Sequence, residues 1–115
     1  MLNKVMPSLV LLLAATSASA EVTLINPFHV PESHQQAVLE HWEKARDFLA
    51  EQPGYISTTL HRSIQPNSQF HYINVAKWES ESDFKSAISA MNKSLPPLNI
   101  SEVEFYPALY EVIRN

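Results

Sequence analysis

The stretch Phe70-His71-Tyr72-Ile73-Asn74-Val75-Ala76-Lys77-Trp78-Glu79-Ser80, with Asp83-Phe84 close behind, decides the fold. It reads as a strand that ends at a tryptophan and passes directly into a helix. Side chains alternate along a strand, so Phe70, Tyr72, Asn74, Ala76 and Trp78 share one face, and Ile73 and Val75 the other. The aliphatic face is the one expected beneath a layer of helices. The aromatic face, with its single amide, is expected to wall a cavity.

Working outward, Val22 to Phe28 reads as a first strand, stopped by the Pro27 to Pro31 region. A helix is expected from Ser33 to Gln52. Ser33 and Gln36 have capping-box spacing, and Val38, Trp42, Ala45 and Leu49 form its apolar stripe. Pro53-Gly54 ends it, Tyr55 to Ser63 is a second strand, and Gln65-Pro66-Asn67-Ser68 supplies a turn. A second helix is expected from Ser80 to Asn92, where an acidic start at Asp83 suits the helix dipole and Phe84, Ala87, Ile88 and Met91 are buried. Val103 to Ile113 completes the set, with a bend or edge position at Pro107. The order β-α-β-β-α-β predicts an α+β, ferredoxin-like antiparallel sheet with two helices on one face. Two helices cover only one face of such a sheet, so the other predicts a homodimer built by face-to-face packing.

Lys4, the apolar run Leu9 to Ala15 and Ala18-Ser19-Ala20 match a secretory signal, so residues 1–20 are read as a signal peptide and 21–115 as the domain. The expected location is periplasmic or secreted. The apolar run is shorter than the ~20 residues of a membrane span, so no stable membrane insertion is expected after cleavage. Losing Lys4 takes the formal charge from -4 to -5, and an acidic chain without a basic run argues against nucleic acid as a partner. With no cysteine there is no disulfide, thiolate ligand or cysteine nucleophile. Gly54 is the only glycine, which excludes the G-x-G-x-x-G and P-loop nucleotide motifs.

The Asn-x-x-x-Trp strand with Glu-Ser and Asp-Phe behind it, Val22 to Phe28, and Gln52-Pro53-Gly54-Tyr55 through His61 together resemble the antibiotic biosynthesis monooxygenase family. The resemblance implies a dimeric α+β barrel with a pocket in each subunit. It also implies that Asn74 and Trp78 match the Asn and Trp of members that oxidise phenolic polyketides without a cofactor. There the substrate's own anion reduces molecular oxygen, the co-substrate, while the protein stabilises negative charge and excludes water. The tyrosine and arginine used further along by those oxidases have no counterpart after Trp78, where Phe84 and Leu98 stand. In the haem-degrading branch, Asn26 and Trp78 have counterparts, but the iron-ligating histidine of the second helix does not. Haem is therefore the less favoured cofactor reading.

Asn74 and Trp78 lie about 13 Å apart along one face, so they are placed to hold different parts of one flat ligand. The bland alternative is that Trp78 caps the sheet and Asn74 serves a neighbouring backbone group. Tyr72 shares their face and offers a phenol, with core packing as its alternative. His61 is the candidate general base, although Thr58, Leu60 and Arg62 form an equally regular inward set. Phe70 and Asn26 complete the candidate substrate-binding residues. His34 and His41 lie seven apart on the first helix, too far to chelate one ion, and are read as solvated or flanking. His29 has no assigned role, and no metal site is expected. Glu40, Glu43 and Asp47, interleaved with Lys44 and Arg46, read as a solvated face.

The function expected from these readings is cofactor-independent oxidation of a small aromatic molecule, a phenol, hydroquinone or polyketide-like compound. Asn74, Trp78 and His61 are the catalytic candidates. The alternative is a non-catalytic periplasmic binder of a hydrophobic or planar ligand.

Overall fold

The computed structural model describes residues 20–115; the signal-peptide reading falls almost wholly outside the described residues. Strand β1 (Val22–His29) leads through a 3-10 turn (Glu32–His34) into helix α1 (Gln35–Leu49). Strands β2 (Tyr55–Arg62) and β3 (Tyr72–Trp78), helix α2 (Glu81–Ser94) and the short strands β4 (Glu104–Phe105) and β5 (Ala108–Tyr110) follow. The sheet order is β2-β3-β1-β4, with β5 also on β1, and every pairing is antiparallel. This is the ferredoxin-like α+β fold.

The last strand departs from the single run Val103–Ile113. It is two pieces, interrupted at Tyr106 and Pro107, yet both pair with β1 in one unbroken register: Phe105 opposite Phe28, Leu109 opposite Leu24. Tyr106 still donates its N–H to the Pro27 carbonyl at 3.0 Å, but Pro27, opposite it on β1, has no N–H to return, so pairing lapses there and resumes at Ala108. The capping box expected at Ser33 and Gln36 does not form. Pro31 starts the 3-10 turn instead, no side chain caps α1, and Gln36 Nε2 donates to Glu40 Oε2 at 2.9 Å. At α2 the sequence signal holds: Ser80 Oγ accepts the Asp83 N–H at 3.0 Å.

The assignment of the two sheet faces is corrected. Tyr72, Asn74, Ala76 and Trp78 are buried and lie under the helices, while Ile73 and Lys77 are exposed on the open face. The aromatic face is thus both the helix-covered side and the cavity wall. Alternation separates the two faces of a strand without saying which one another layer covers.

The core beneath the helices is split. Leu24, Ala76, Trp78 and Ala87 form one buried cluster, and Phe28, Val30, Val38 and Tyr72 form the other. Between them, on neighbouring strands, lies the cross-strand pair Asn26 and Asn74. Two polar residues at one register position divide an otherwise apolar layer, and the cavity opens there.

Candidate functional site

The cavity lies between the sheet and both helices and encloses about 200 Å³. The sheet contributes Leu24, Asn26, Phe28, Tyr55, Thr58, Asn74, Ala76, Trp78 and Phe105. Helix α1 adds His41, Trp42, Ala45 and Arg46, and α2 adds Phe84, Ile88 and Met91. An apolar cavity of about 150 Å³ holds benzene, whereas drug-sized ligands need about 300–1,000 Å³. The space suits one ring or two fused rings.

Asn74 is 9% exposed and its carbonyl is doubly occupied. Trp42 Nε1 donates to Oδ1 at 3.2 Å, and Thr58 Oγ1 donates to the same oxygen at 2.9 Å. An indole N–H can only donate, so the atom it meets must be the amide oxygen. The amide orientation is therefore set, and no hydrogen bond among the described residues engages the NH2. The same logic holds across the strand pair. Asn26 Oδ1 accepts the Tyr106 backbone N–H at 3.1 Å, another donor-only group, and its NH2 is likewise unengaged among the described residues. Directly paired residues of adjacent strands hold their Cβ atoms about 4.5–5.5 Å apart. Two asparagine side chains thus neighbour each other in the wall of a largely apolar cavity.

Trp78 is 1% exposed and sits in an aromatic corner, edge-on to Tyr55 and Phe84 at centroid separations of 5.5 and 5.8 Å. A β-bulge between Tyr55 and Ser57 produces that corner. The extra residue, Ile56, lets Tyr55 and Thr58 share the inward face although they are three apart. Beyond the bulge, Thr58, Leu60 and Arg62 pair with Ala76, Asn74 and Tyr72 and take the inward face.

His61 therefore faces outward, opposite Ile73, with its Nδ1 at 3.2 Å from the Ile73 carbonyl. The structure does not bring it to the cavity. Phe70 also lies apart: β3 begins only at Tyr72, and the Phe70 ring packs edge-on against Tyr106 at 5.5 Å. Tyr72 has the expected face but is buried in the second core cluster, outside the cavity lining. Asn26, Asn74 and Trp78 are brought together.

The histidine that lines the cavity is His41. Burial, and secondarily the nearby Lys44 charge, lower its pKa from the ordinary 6.5, so it favours the neutral imidazole. Arg46 lines the cavity too, its guanidinium 5.2 Å from the centre of the Trp42 ring. Both had been read as solvated. The signal was present in the spacing: extended in steps of three and four from Val38, the stripe through Trp42, Ala45 and Leu49 also passes through His41 and Arg46. His34, by contrast, bonds Glu102 Oε1 at 2.9 Å and ties the helix start to the loop before β4.

Haem fits these residues poorly. Helix α2 offers the cavity Phe84, Ile88 and Met91 and no histidine, and the volume matches a much smaller ring system. Among the described residues no three His, Asp or Glu side chains cluster as metal ligands.

A family model described as antibiotic biosynthesis monooxygenase matches residues 21–88. Among solved structures, a Shewanella loihica PV-4 protein described as a "putative monooxygenase" is 50% identical, covering 84% of this chain and 98% of its own, with a TM-score of 0.75. SnoaB, a cofactor-independent oxygenase from Streptomyces nogalater, is 20% identical over 84% of this chain and 97% of its own, with a TM-score of 0.58. The haem-degrader MhuD from Mycobacterium tuberculosis is 21% identical over 82% and 97%, with a TM-score of 0.60. The last two share the fold. Comparison with curated proteins gives no match. On the family match and the half-identical Shewanella structure, the chain belongs to the antibiotic biosynthesis monooxygenase family.

Proposed function

We propose that the protein is a cofactor-independent oxygenase of a compact aromatic compound bearing an ionisable hydroxyl, such as a phenol or hydroquinone of one or two rings. The observation that carries this reading is the pair of oriented amides. With both carbonyl oxygens held by donor-only groups, Asn26 and Asn74 keep four N–H bonds for a ligand oxygen. Preorganised donors in a largely apolar cavity favour a negatively charged oxygen strongly. A phenolate is electron-rich enough to reduce molecular oxygen itself, and Trp78, Tyr55 and Phe84 supply aromatic walls for its ring. The balance needs no outside reductant: a phenol and O2 become a para-quinone and water, and a hydroquinone and O2 become the quinone and hydrogen peroxide.

The Shewanella relative and the cofactor-independent SnoaB support this class of chemistry, while the small cavity without an α2 histidine argues against the haem route taken by MhuD. The signal-like residues 1–20 support a periplasmic or secreted site of action. A homodimer is supported by the open sheet face, where Ile73 and Tyr110 are exposed large apolar side chains.

Oxygen uptake by the metal-free protein on phenols, hydroquinones and naphthols tests the proposal. Uptake without added cofactor is expected. It should fall by about 10²- to 10³-fold in Asn74→Ala, the usual loss for one oxyanion donor, and should also drop in Trp78→Phe. Tight binding of such compounds without any uptake would make the protein a binder and overturn the oxygenase.

A further inference from the structure

Stabilising an anion is half of the chemistry; a proton must also leave. Five titratable or charged side chains bear on this question: His41 and Arg46 are part of the cavity wall on α1, and Asp47, beside Arg46, accepts from its Nε at 3.0 Å. Tyr55 lines the cavity from the sheet, and Lys44 lies beside His41 on the helix surface. Helix α2 brings only Phe84, Ile88 and Met91, so among the described residues no carboxylate lines the cavity to hold a histidine in its charged form.

We infer that His41 is the group that removes the proton from the substrate hydroxyl held by Asn26 and Asn74. This rests on the oxygenase reading of the same cavity and adds its missing base. The step is a simple transfer. The substrate O–H bond breaks, its electron pair stays on oxygen, and an N–H bond forms at the imidazole. No oxidant is consumed until O2 reacts with the anion afterwards. The arrangement is consistent along the helix. Trp42, next to His41, carries the indole that orients Asn74, and Arg46 is one turn on from Trp42 and stacked over it. The inward side of α1 thus delivers both the base and the donor that orients Asn74. A neutral resting imidazole is what a base requires, and burial together with Lys44 favours that form.

The test uses 4-nitrophenol, whose anion is coloured and whose neutral form is not, bound to the full-length protein at pH 6.5 under anaerobic conditions. Absorbance reads the ligand's ionisation, and calorimetry in two buffers of different ionisation heat counts protons exchanged with solvent. Wild type is expected to bind the coloured anion with no proton released, because His41 keeps it. His41→Gln, which keeps a polar side chain of similar reach, is expected to bind with a Kd changed by less than about tenfold but as the colourless neutral form. An anion bound by His41→Gln as by wild type, or one proton released per anion in wild type, would overturn the role of His41 and leave the amide site standing. Failure of folded wild type to bind, or equal binding by Asn26→Ala and Asn74→Ala, would overturn the cavity reading itself and His41 with it.

Discussion

Trp42 on α1 and Asn74 on β3 are joined by a 3.2 Å bond from an indole that can only donate to an amide that must answer with its oxygen. Helix and sheet are thereby keyed at the point where the two core clusters part. Thr58 adds a second donor to the same oxygen at 2.9 Å. Replacing Trp42 by Phe or Thr58 by Val should each cost about 0.5–1.5 kcal/mol in hydrogen bonding, because the oxygen keeps its other donor. Since both serve one atom, a double-mutant cycle read by urea unfolding should show coupling of about 0.5–3 kcal/mol. Strict additivity would mean that the Asn74 oxygen is not their shared partner.

The acid side of the activity profile should respond to Lys44. A base works only when unprotonated, so kcat/KM falls as pH drops through the His41 pKa, which lies below 6.5. Lys44→Gln removes the smaller of the two lowering causes and should move that limb to higher pH, with burial still holding it down. The same lowered pKa has a stability sign. The unfolded chain binds the proton more readily, so His41's contribution is present above the ordinary value and is lost as pH falls. A limb that stays put in Lys44→Gln would assign it to another group.

Gly54 should resist substitution. Its φ is 87°, a conformation that L side chains rarely adopt, and an added Cβ would overlap the Asp83 side chain at the start of α2. Its carbonyl also accepts the Glu79 N–H at 2.8 Å. For Gly54→Ala the backbone alone should cost about 1–2 kcal/mol, with the overlap adding to it. At about 4–8 °C per kcal/mol for a domain of this size, thermal melting would detect it readily. An unchanged Tm would mean that the turn relaxes.

Ser80→Ala should lower stability by about 1 kcal/mol through loss of the α2 cap. Ser80→Asp, which can still accept the Asp83 N–H, places a second carboxylate beside Asp83 and should recover only part of that loss in the same melts.

On the open face, Ile73→Glu should convert a dimer into a monomer in sedimentation, because an unpaired buried charge opposes association. The Asn74 site lies on the other side of the sheet, so 4-nitrophenol binding should persist. A dimer that survives Ile73→Glu would place the contact elsewhere.

The order of elements, the strand through Asn74 and Trp78, and the cap at Ser80 were all legible in the sequence, because each rests on local periodicity or local hydrogen bonding. What escaped was set by contacts between elements. Alternation made Ile73 and Val75 one face but could not say that the helices cover the other. The bulge at Ile56 turns Tyr55 inward, and simple alternation offered two equally regular registers for β2, one with His61 inside. The choice fell to Thr58, Leu60 and Arg62. His41 and Arg46 stood on a helical stripe that looked apolar only because its polar members were assigned to solvent. A polar residue at core spacing is as much a statement about a cavity as about a surface.

The interruption at Pro107 bears on how this sheet meets other chains. β4 and β5 form the free edge beside β1, and such an edge ordinarily invites a further strand to add its hydrogen bonds. Here that edge is cut into segments of two and three residues by a position that has no hydrogen to donate. A foreign strand would find no continuous ladder to extend. Sideways growth is blocked at this edge, and the eight-residue β2, which pairs only with β3, is among the described residues the one continuous edge that the sheet keeps.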